Sequence, residues 1–496
     1  MERISHWIGG KLVPGESGRT GPVFNPATGQ HTHEVDLASP EEVDQAAAAA
    51  AEAYPAWRAT SLSKRAETMF QIRELLDHRK ADLAKTITAQ HGKVLSDAMG
   101  EVQRGLENVE FACGVPHLLK GGFTEQAATG VDVYSIRQPL GVVAGITPFN
   151  FPAMVPLWML TNAIACGNTF VLKPSEKDPG ASLLLAELLH DAGVPDGVFN
   201  VVHGDKIAVD AILEHPDIKA VSFVGSTPIA KYIYEHGTHV GKRVQALGGA
   251  KNHMIVLPNA DLDMAADAAV SAGYGSAGER CMAISAIVAV GGIADELVAK
   301  IAERLPKVTV GPGSDPESEM GPLVTREHRD KVAGYLDSSA EQGATVVTDG
   351  RKDAAYEGDG FFLGVSLIDH VTAEMDAYRD EIFGPVLSVL RVDTYDEAVR
   401  MVNDNPYGNG VAIFTRDGGA VRQFQFEVNV GMVGVNVPIP VPVAYYSFGG
   451  WKSSLFGDNH MYGPEGIQFY TRGKVVTARW PDPATSAVDL GFPRTR

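Results

Sequence analysis

From residue 39 to about residue 119, hydrophobic positions recur about every 3.6 positions, which is the period of an amphipathic helix. The first helix is predicted to begin after Ser39, because Ser39-Pro40-Glu41-Glu42 places a capping serine three positions before a glutamate, with a proline in the first turn. An alanine-rich run over 46–53 continues this helix. Further helical patterns cover residues 63–79, 81–90 and 97–119.

From residue 121 onward the pattern changes to alternation and to short apolar runs, which are typical of strands. Residues 121–140 are predicted to form a hairpin that leads into a buried strand, VVAGI, at 142–146. Helical patterns then recur between strand-like runs, and this alternation favours an α/β fold with largely parallel sheets. The helices are predicted at 179–192, 205–214 and 228–236, and the strand runs are TFVLKP, VFNVVHG, AVSFVGS, MIVLP and AIVAVGG.

Length, composition and charge narrow the class of protein. A chain of 496 residues, 45% of them apolar, is long enough for two or three domains with large cores. A net charge of −19 argues against a nucleic-acid or anionic-membrane partner. The N-terminal stretch MERISHWIGGKLVPG has no targeting pattern, and the most apolar run is shorter than the roughly 20 residues that span a bilayer. We therefore expect a soluble, cytoplasmic protein with no membrane partner.

The chain has three cysteines, and none of them forms a C-x-x-C pair. This usage favours a reducing compartment, and with the scattered histidines it predicts no metal site. Cys113 and Cys166 lie in apolar patterns and are predicted to belong to the core. Cys281, in GYGSAGERCMAISA, follows Arg280 and a run of small residues. The arginine can lower a thiol pKa, which favours a nucleophile, while buried packing is the competing interpretation.

Two polar stretches follow predicted strands, where α/β sheets place ligand-binding groups. Asn150, in GITPFNFPAMVPLW, can donate to a developing oxyanion or can form an Asx-turn before Pro152. Lys173 and Glu176, in TFVLKPSEKDPG, can bind the hydroxyls of an adenosine ribose or can form a surface ion pair.

Two further stretches have the chemistry of a dinucleotide site. Gly225 and Ser226 precede a predicted helix whose first amides suit a diphosphate, although the chain contains no G-x-G-x-x-G. Glu381 stands shortly before Phe383-Gly384-Pro385 in DEIFGPVLSV. Each stretch is a weak indication alone, and the set in this order is specific.

The motifs PFNFP, KPSE, FVGS, LGGAK, GERC, EIFGP, NPYGNGVAIFT and FGGWKSS occur in this order along nearly the whole chain. In these motifs and their spacing the chain resembles the aldehyde dehydrogenase superfamily. The resemblance implies an α/β fold, with three-layer α/β/α domains and a small β oligomerisation domain that makes a homodimer or homotetramer. It implies an NAD-binding domain (1–120 and 141–248), a catalytic domain (249–445), an oligomerisation domain (121–140 and 465–481) and a tail (482–496). The second part of the oligomerisation domain is expected to be the strand IQFYTRGKVVTARW.

The resemblance also implies roles for single residues. Cys281 matches the nucleophile that attacks an aldehyde carbon, and Asn150 matches the side chain that donates to the resulting oxyanion. NAD is favoured over NADP, because a carboxylate at Glu176 repels a 2′-phosphate. The residues expected to bind NAD are Thr147, Phe149, Lys173, Glu176, Lys177, Gly225, Ser226, Glu381 and Phe383.

One departure from the family pattern is informative. Hydrolytic members carry a glutamate general base in an E-L-G-G-K stretch, and the matching position here is Leu247, 34 residues before Cys281. A leucine cannot activate water, so a thioester on Cys281 is expected to await coenzyme A as co-substrate. The stretches ITPFNFPAMVPLWM, GAKNH and GERCMA resemble the acylating branch of the family, which converts methylmalonate semialdehyde or malonate semialdehyde to propionyl-CoA or acetyl-CoA.

A carboxylated aldehyde requires cations near the thiol. Arg280 is adjacent to Cys281, and Arg104 matches a second substrate arginine of the family, with a solvated helix face as the competing interpretation.

Three other functions are disfavoured by the sequence. A hydrolytic semialdehyde dehydrogenase is disfavoured by Leu247, and a structural NAD-binding protein by the retained catalytic residues. A cysteine hydrolase is disfavoured because no histidine, His253 included, stands in a stretch that suggests a base for Cys281.

Overall fold

The computed structural model describes residues 2–480 together with 484 and 488. The predicted tail, 482–496, lies outside the described residues except at those two positions. The strands are β1 (Glu2–Ile4), β2 (His6–Ile8), β3 (Lys11–Val13), β4 (Thr20–Asn25), β5 (Gln30–Asp36), β6 (Phe123–Ala128), β7 (Val131–Pro139), β8 (Val142–Ile146), β9 (Thr169–Lys173), β10 (Phe199–Val201), β11 (Ile218–Val224), β12 (Arg243–Leu247), β13 (Asn252–Val256), β14 (Ile284–Val290), β15 (Thr345–Thr348), β16 (Ser366–Asp369), β17 (Val386–Val392), β18 (Tyr407–Gly408), β19 (Gly410–Phe414), β20 (Met432–Val435), β21 (Trp451–Lys452), β22 (Leu455–Phe456) and β23 (Thr471–Arg479).

The helices include every helical segment predicted from the sequence. They are α1 (Pro40–Ala59), α2 (Leu62–His78), α3 (Lys80–His91), α4 (Leu95–Cys113), α5 (Val115–Leu118), α6 (Met154–Ala165), α7 (Gly180–Asp191), α8 (Lys206–Glu214), α9 (Thr227–His239), α10 (Leu262–Tyr274), α11 (Ala294–Arg304), α12 (Arg326–Glu341), α13 (Asp376–Arg379), α14 (Tyr395–Asp404), α15 (Gly418–Glu427) and α16 (Gly463–Phe469).

The first large sheet has eight strands in the order β22-β12-β11-β8-β9-β10-β2-β3. The five strands from β12 to β10 are parallel, and β22, β2 and β3 are antiparallel edges. Alternate residues of β8 belong to different cores, with Val143 on one face and Val142 and Ala144 on the other. Helices cover both faces, so this unit has three layers, as predicted.

The second large sheet has seven strands in the order β15-β16-β17-β14-β13-β19-β20. All pairs are parallel except β15 with β16. Met254 packs in the core on one face of β13, and Ile255 packs in the core on the other. The second unit therefore also has three layers, and the predicted fold class is confirmed.

A three-stranded antiparallel sheet, β23-β7-β6, combines the predicted hairpin over 121–140 with the C-terminal strand. The start of the C-terminal segment differs from the prediction. The stretch IQFYTRGKVVTARW was expected to be one strand, but the strand begins only at Thr471, and the preceding residues form α16. Pro464 lies in the first turn of α16, where its fixed φ favours helix.

Two other boundaries also differ from the expected domains and helices. β22 adds residues 455 and 456 to the first large sheet, outside the ranges 1–120 and 141–248 predicted for that unit. The single helix predicted over 97–119 is two helices that meet at Gly114. Pro116 explains the break, because it has no N–H to donate to the preceding turn and its ring clashes with that turn.

The predicted start of α1 is confirmed. Ser39 and Glu42 form the reciprocal capping box, each side chain accepting from the other residue's backbone N–H. Among the described residues, no helix combines the length and the apolar character that crossing a bilayer would require.

Candidate active site

Cys281 lies in the loop between α10 and β14, after a strained turn. Ser276, Ala277 and Gly278 all have left-handed backbone, with φ of 53°, 52° and 74°. Such a conformation is costly for residues with a Cβ, and it persists only where the surroundings enforce it. At Gly278 a Cβ would collide with the carbonyl oxygen of Gly384, so this position admits only glycine. The small residues before Cys281 thus permit the close backbone approach predicted from the sequence.

The backbone of the Cys281 loop is fixed by side chains from the second large sheet. The carbonyl oxygen of Cys281 accepts hydrogen bonds from the side-chain amides of Asn252 at 2.9 Å and Asn409 at 3.1 Å. Burial raises the pKa of the Cys281 thiol to about 12, and the carboxylate of Glu381 adds to the shift. Formation of the Cys281 thiolate therefore requires a nearby cation or a proton acceptor. Cys113 and Cys166 are buried in the core, as predicted.

A cavity of about 420 Å³ opens beside Cys281. Both predicted substrate arginines, Arg104 and Arg280, line it together with the nucleophile. A guanidinium Nη of Arg280 donates to Asp97 at 2.6 Å, and one of Arg104 donates to Glu107 at 2.8 Å. The rest of the wall is largely apolar, including Phe151, Met154, Trp158, Met282, Ile439, Val441 and Phe448. The structure thus combines a thiol, two guanidinium groups and an apolar wall in one space.

Asn150 lies at the carboxyl end of β8, and it is buried. Its Nδ2 donates to the backbone carbonyl of Glu279 at 2.9 Å, two residues before the nucleophile. The amide therefore points to the nucleophile loop, as an oxyanion donor must.

Three residues predicted to bind NAD lie at the carboxyl ends of β8 and β9: Thr147 after β8, and the predicted ribose ligands Lys173 and Glu176 at the end of β9. The N–H of Thr147 donates to the carbonyl of Lys173 at 3.1 Å, which joins the two strand ends. Nζ of Lys173 donates to Gly204 O at 2.6 Å and to Glu176 at 3.3 Å. The lysine is buried whereas the side chain of Glu176 is 41% exposed, so the carboxylate is open to a ligand.

Aromatic rings link this edge to the catalytic unit. The rings of Phe149 and Phe383 meet edge to face with centroids 6.0 Å apart, and Nζ of Lys177 lies 4.9 Å from the Phe149 centroid. Phe383 is itself held in a left-handed conformation, with φ of 57°.

Glu381 and the Gly225-Ser226 turn approach each other at the end of β12. Glu381 Oε1 accepts from the N–H of Ala250 at 2.9 Å, and the N–H of Gly249 donates to Thr227, the residue after Ser226, at 2.8 Å. Burial raises the pKa of Glu381 to about 7. Cys281, Glu381 and Phe383 also line one narrow cleft, so the nucleophile stands between this side and the arginine cavity.

Leu247, which was predicted to replace the general base of the hydrolytic members, is buried at the end of β12 and pairs with Leu455 of the neighbouring strand β22. His253 is buried in β13 and bonds to the Tyr378 hydroxyl at 3.0 Å, and burial lowers its pKa to about 3. Neither side chain is a base for Cys281. Within the described residues, no group of three or more His, Cys, Asp or Glu side chains could hold a metal ion.

Several residues of the site were missed in the sequence. Asp97 and Glu107 pair with the substrate arginines, and Glu279 is buried two residues before Cys281. Burial raises the pKa of Glu279 to about 8, and its Oε2 has no hydrogen-bond partner among the described residues. The buried pair Lys93 and Glu101 was also missed. The sequence does contain an indication of Glu101, because this charged residue interrupts the apolar face of α4 that Ala98, Val102 and Gly105 form.

The two-sheet architecture, with Cys281 and Asn150 brought together between the sheets, fits one class of protein, and the comparisons with known proteins agree. A profile of the aldehyde dehydrogenase family matches residues 12–476, and the chain belongs to this family of oxidoreductases. The resemblance predicted from the motifs is confirmed.

Among its relatives, the chain is 56% identical to a malonate-semialdehyde dehydrogenase of Pseudomonas aeruginosa, over 99% of this chain and 100% of that protein. Among solved structures, it is similar to a methylmalonate-semialdehyde dehydrogenase of Oceanimonas doudoroffii, with TM-score 0.96 and 56% identity over 98% of this chain and 99% of that chain. A provisionally named methylmalonate-semialdehyde dehydrogenase of Sinorhizobium meliloti, crystallised with NAD, has TM-score 0.96 and 53% identity over the same shares.

Proposed function

We propose that this protein uses NAD to oxidise malonate semialdehyde or methylmalonate semialdehyde, and that it transfers the acyl group to coenzyme A with loss of CO2. The observation that carries the proposal is the cavity in which Arg104 and Arg280 stand beside Cys281. Names of relatives more than 50% identical to this chain support the same substrate class.

The two arginines bind the substrate carboxylate and direct the aldehyde carbon to Cys281. A guanidinium group donates to a carboxylate in a fork, and each charged hydrogen bond contributes about 1.5–3 kcal/mol. In this structure the guanidinium groups bond to Asp97 and Glu107. These carboxylates hold the arginines in place in an acidic protein, and the apolar wall between them excludes water from the thiol.

The Cys281 thiol releases its proton to solvent, the thiolate forms the C–S bond to the aldehyde carbon, and the carbonyl π electrons move to oxygen. The developing oxyanion accepts from the side-chain amide of Asn150, whose geometry is fixed before the substrate binds. NAD, when bound, supplies a cationic ring that favours the thiolate and accepts the hydride from that carbon. As the hydride leaves, the electrons on oxygen re-form the C=O bond, which gives a thioester on Cys281. The bond between the α-carbon and the carboxylate then breaks and CO2 departs. Its bonding electrons form an enolate that the same oxyanion site can hold, and a proton from solvent gives the acetyl or propionyl thioester.

The groups along the carboxyl edge of the first sheet fit NAD. Thr147 has a buried Oγ1 without a partner among the described residues, and the exposed carboxylate of Glu176 suits a ribose. The Phe149 and Phe383 rings flank the path from this edge to Cys281. Glu381, at the end of that path, suits the ribose next to the reacting ring, and the N-terminal turn of α9 after Gly225-Ser226 suits the diphosphate.

Coenzyme A is proposed because of Leu247. A buried leucine stands where a water-activating carboxylate would be, so the thioester persists until a thiol attacks it. The sulfur of coenzyme A forms the new thioester bond, its proton is released to solvent, and Cys281 departs as the thiolate.

The test is to mix the protein with malonate semialdehyde and NAD without coenzyme A, quench with acid, and identify the modified peptide by mass spectrometry. We expect an acetyl group on Cys281 that disappears when coenzyme A is added before the quench. In Leu247→Glu we expect the acetyl group to be lost by hydrolysis, while Leu247→Met retains it as the matched control. An unmodified Cys281 in the parent protein, with free acid in solution, would favour the hydrolytic semialdehyde dehydrogenase instead.

A further inference from the structure

Lys93 and Glu101 form an ion pair in the interior of the first unit. Nζ of Lys93 lies 2.8 Å from Oε2 of Glu101, and both side chains are 0% exposed. A buried pair of this kind gains little stability over an apolar pair, because both charges lose their hydration. The reaction as proposed above gives neither residue a role.

Both residues contact one short segment, 150–154, which joins β8 to α6. Nζ of Lys93 also donates to the carbonyl oxygen of Asn150 at 2.7 Å and lies 4.3 Å from the centroid of the Phe151 ring. The second carboxylate oxygen of Glu101 accepts from the N–H groups of Ala153 at 2.9 Å and Met154 at 3.1 Å. The pair therefore fixes the segment at its beginning and at its end.

The hydrogen bond from Lys93 to the backbone of Asn150 also affects the position of the Asn150 side chain. Asn150 has two fixed points, its backbone carbonyl on Lys93 and its Nδ2 on Glu279 O. The bond from Lys93 restrains the backbone from which the Asn150 side chain extends, and the bond to Glu279 O sets the direction of the amide. Charge-assisted hydrogen bonds are stronger and shorter than neutral ones, which explains why a charged pair serves here.

We infer that Lys93 and Glu101 are positioning residues for the Asn150 amide, and that they accelerate acylation of Cys281 through it. This rests on the proposed role of Asn150 as oxyanion donor. Neither residue touches the reacting atoms in this scheme. A misplacement of about 1 Å at a reacting group can lower the rate about 100-fold, so a small displacement of the segment is enough to be measured.

The test is a double-mutant cycle on the single-turnover rate of NADH formation at saturating malonate semialdehyde, in the full-length protein. We expect Lys93→Met to lower this rate at least about tenfold, with the Kd for NAD unchanged. In an Asn150→Ala background we expect Lys93→Met to have no further effect on the rate, because the group through which it acts is gone. We expect Lys93→Met to lower the melting temperature in both backgrounds, so its effect on stability can be distinguished from its effect on the rate.

Lys242→Met is the matched control. Lys242 is another buried lysine bound to backbone carbonyls, those of His215 and Ile218. It directly precedes β12 and reaches the amino end of β11, at the opposite edge of the sheet from Asn150. We expect this variant to melt at a lower temperature and to keep the parent rate.

Two results would overturn the inference while the proposed function stands. The first is an unchanged rate in Lys93→Met. The second is that Lys93→Met lowers the rate by the same factor in the Asn150→Ala background as in the parent protein. If Asn150→Ala alone keeps the parent rate, the oxyanion role fails and the inference fails with it. If Lys93→Met does not fold, Glu101→Gln replaces it in the same cycle, because it keeps the shape and removes the charge.

Discussion

Arg280 connects the nucleophile loop to the helix that forms one wall of the substrate cavity. It donates to Asp97 near the start of α4 at 2.6 Å, and it stands next to Cys281 in the chain. Its guanidinium is thus fixed by a carboxylate of the protein and is available to a carboxylate of the substrate at the same time.

Arg280→Ala is expected to raise the KM for malonate semialdehyde about 10–100-fold, because one or more charged hydrogen bonds are lost. The KM for propanal, which has no carboxylate, should change much less. Steady-state kinetics with both substrates measures this difference. Arg79→Ala, which removes a surface arginine paired with Asp82 at 3.3 Å, is the control and should change neither value. Equal increases for both aldehydes in Arg280→Ala would contradict the carboxylate role.

Glu279 makes the stability of the protein depend on pH. Burial raises its pKa from 4.5 to about 8, so the folded protein keeps the proton that the unfolded chain releases. The contribution of this group to stability is complete below pH 4.5, and it is lost as pH rises through about 8.

Glu279→Gln should remove this dependence, because glutamine has the same shape and does not titrate. We expect the free energy of unfolding of Glu279→Gln relative to the parent to grow by at least about 1 kcal/mol as pH rises from about 5 to about 8. Urea unfolding across this pH range provides the measurement. A difference that stays constant with pH would show that Glu279 is ionised in the folded protein.

Among the structural elements around Cys281, a turn rather than a helix or a strand sets the position of this residue. Three consecutive residues with positive φ separate α10 from the Cys281 loop, and Gly278 packs against the backbone of Gly384. That second backbone belongs to the segment of Glu381 and Phe383. The turn therefore sets the position of the nucleophile relative to the cofactor side.

Gly278→Ala is expected to lower kcat roughly 10–100-fold, because the added Cβ must displace the Gly384 carbonyl or the loop. The matched control is Gly334→Ala in α12, where a Cβ meets nothing within 4 Å and the backbone is helical. Both variants are compared by kcat and melting temperature. A Gly278→Ala protein with the kcat of the parent would show that the loop tolerates the displacement.

Helix starts and strands could be predicted from the sequence, whereas the contacts between distant segments at the site could not. The helix starts and strands were predictable because caps and apolar periods are local, as for Ser39 and for β8. The contacts between Arg280 and Asp97, 183 positions apart, and between Lys93 and Asn150, 57 positions apart, were not predictable. They depend on how α4 and the loop before it pack against α6 and against the loops that carry Asn150 and Arg280, and no local pattern encodes that packing. The break at Gly114 was missed because the apolar period continues across it.

At the scale of the whole molecule, the sheet β23-β7-β6 has edge strands that pair with nothing further among the described residues. Exposed edges with apolar side chains invite pairing between chains. Val475 on β23 is 70% exposed, and Trp480 just beyond it is 88% exposed. We propose that this sheet makes the predicted homodimer or homotetramer.

Val475→Asp combined with Trp480→Asp should therefore lower the mass of the particle in light scattering coupled to size exclusion. The control is Phe426→Asp on α15, which removes a 92% exposed ring outside this sheet and should leave the mass unchanged. An unchanged mass in the double variant would place the contact between chains elsewhere.

The fate of the acyl group on Cys281 distinguishes an acylating enzyme from a hydrolytic one, and a single measurement can follow it. This measurement is NADH formation from malonate semialdehyde over many turnovers, with and without coenzyme A, with the products identified. The account predicts that NADH stops at about one per active site until coenzyme A is added, after which turnover resumes and acetyl-CoA accumulates. Turnover at the same rate without coenzyme A, with a free acid as product, would contradict the account and identify a hydrolytic enzyme.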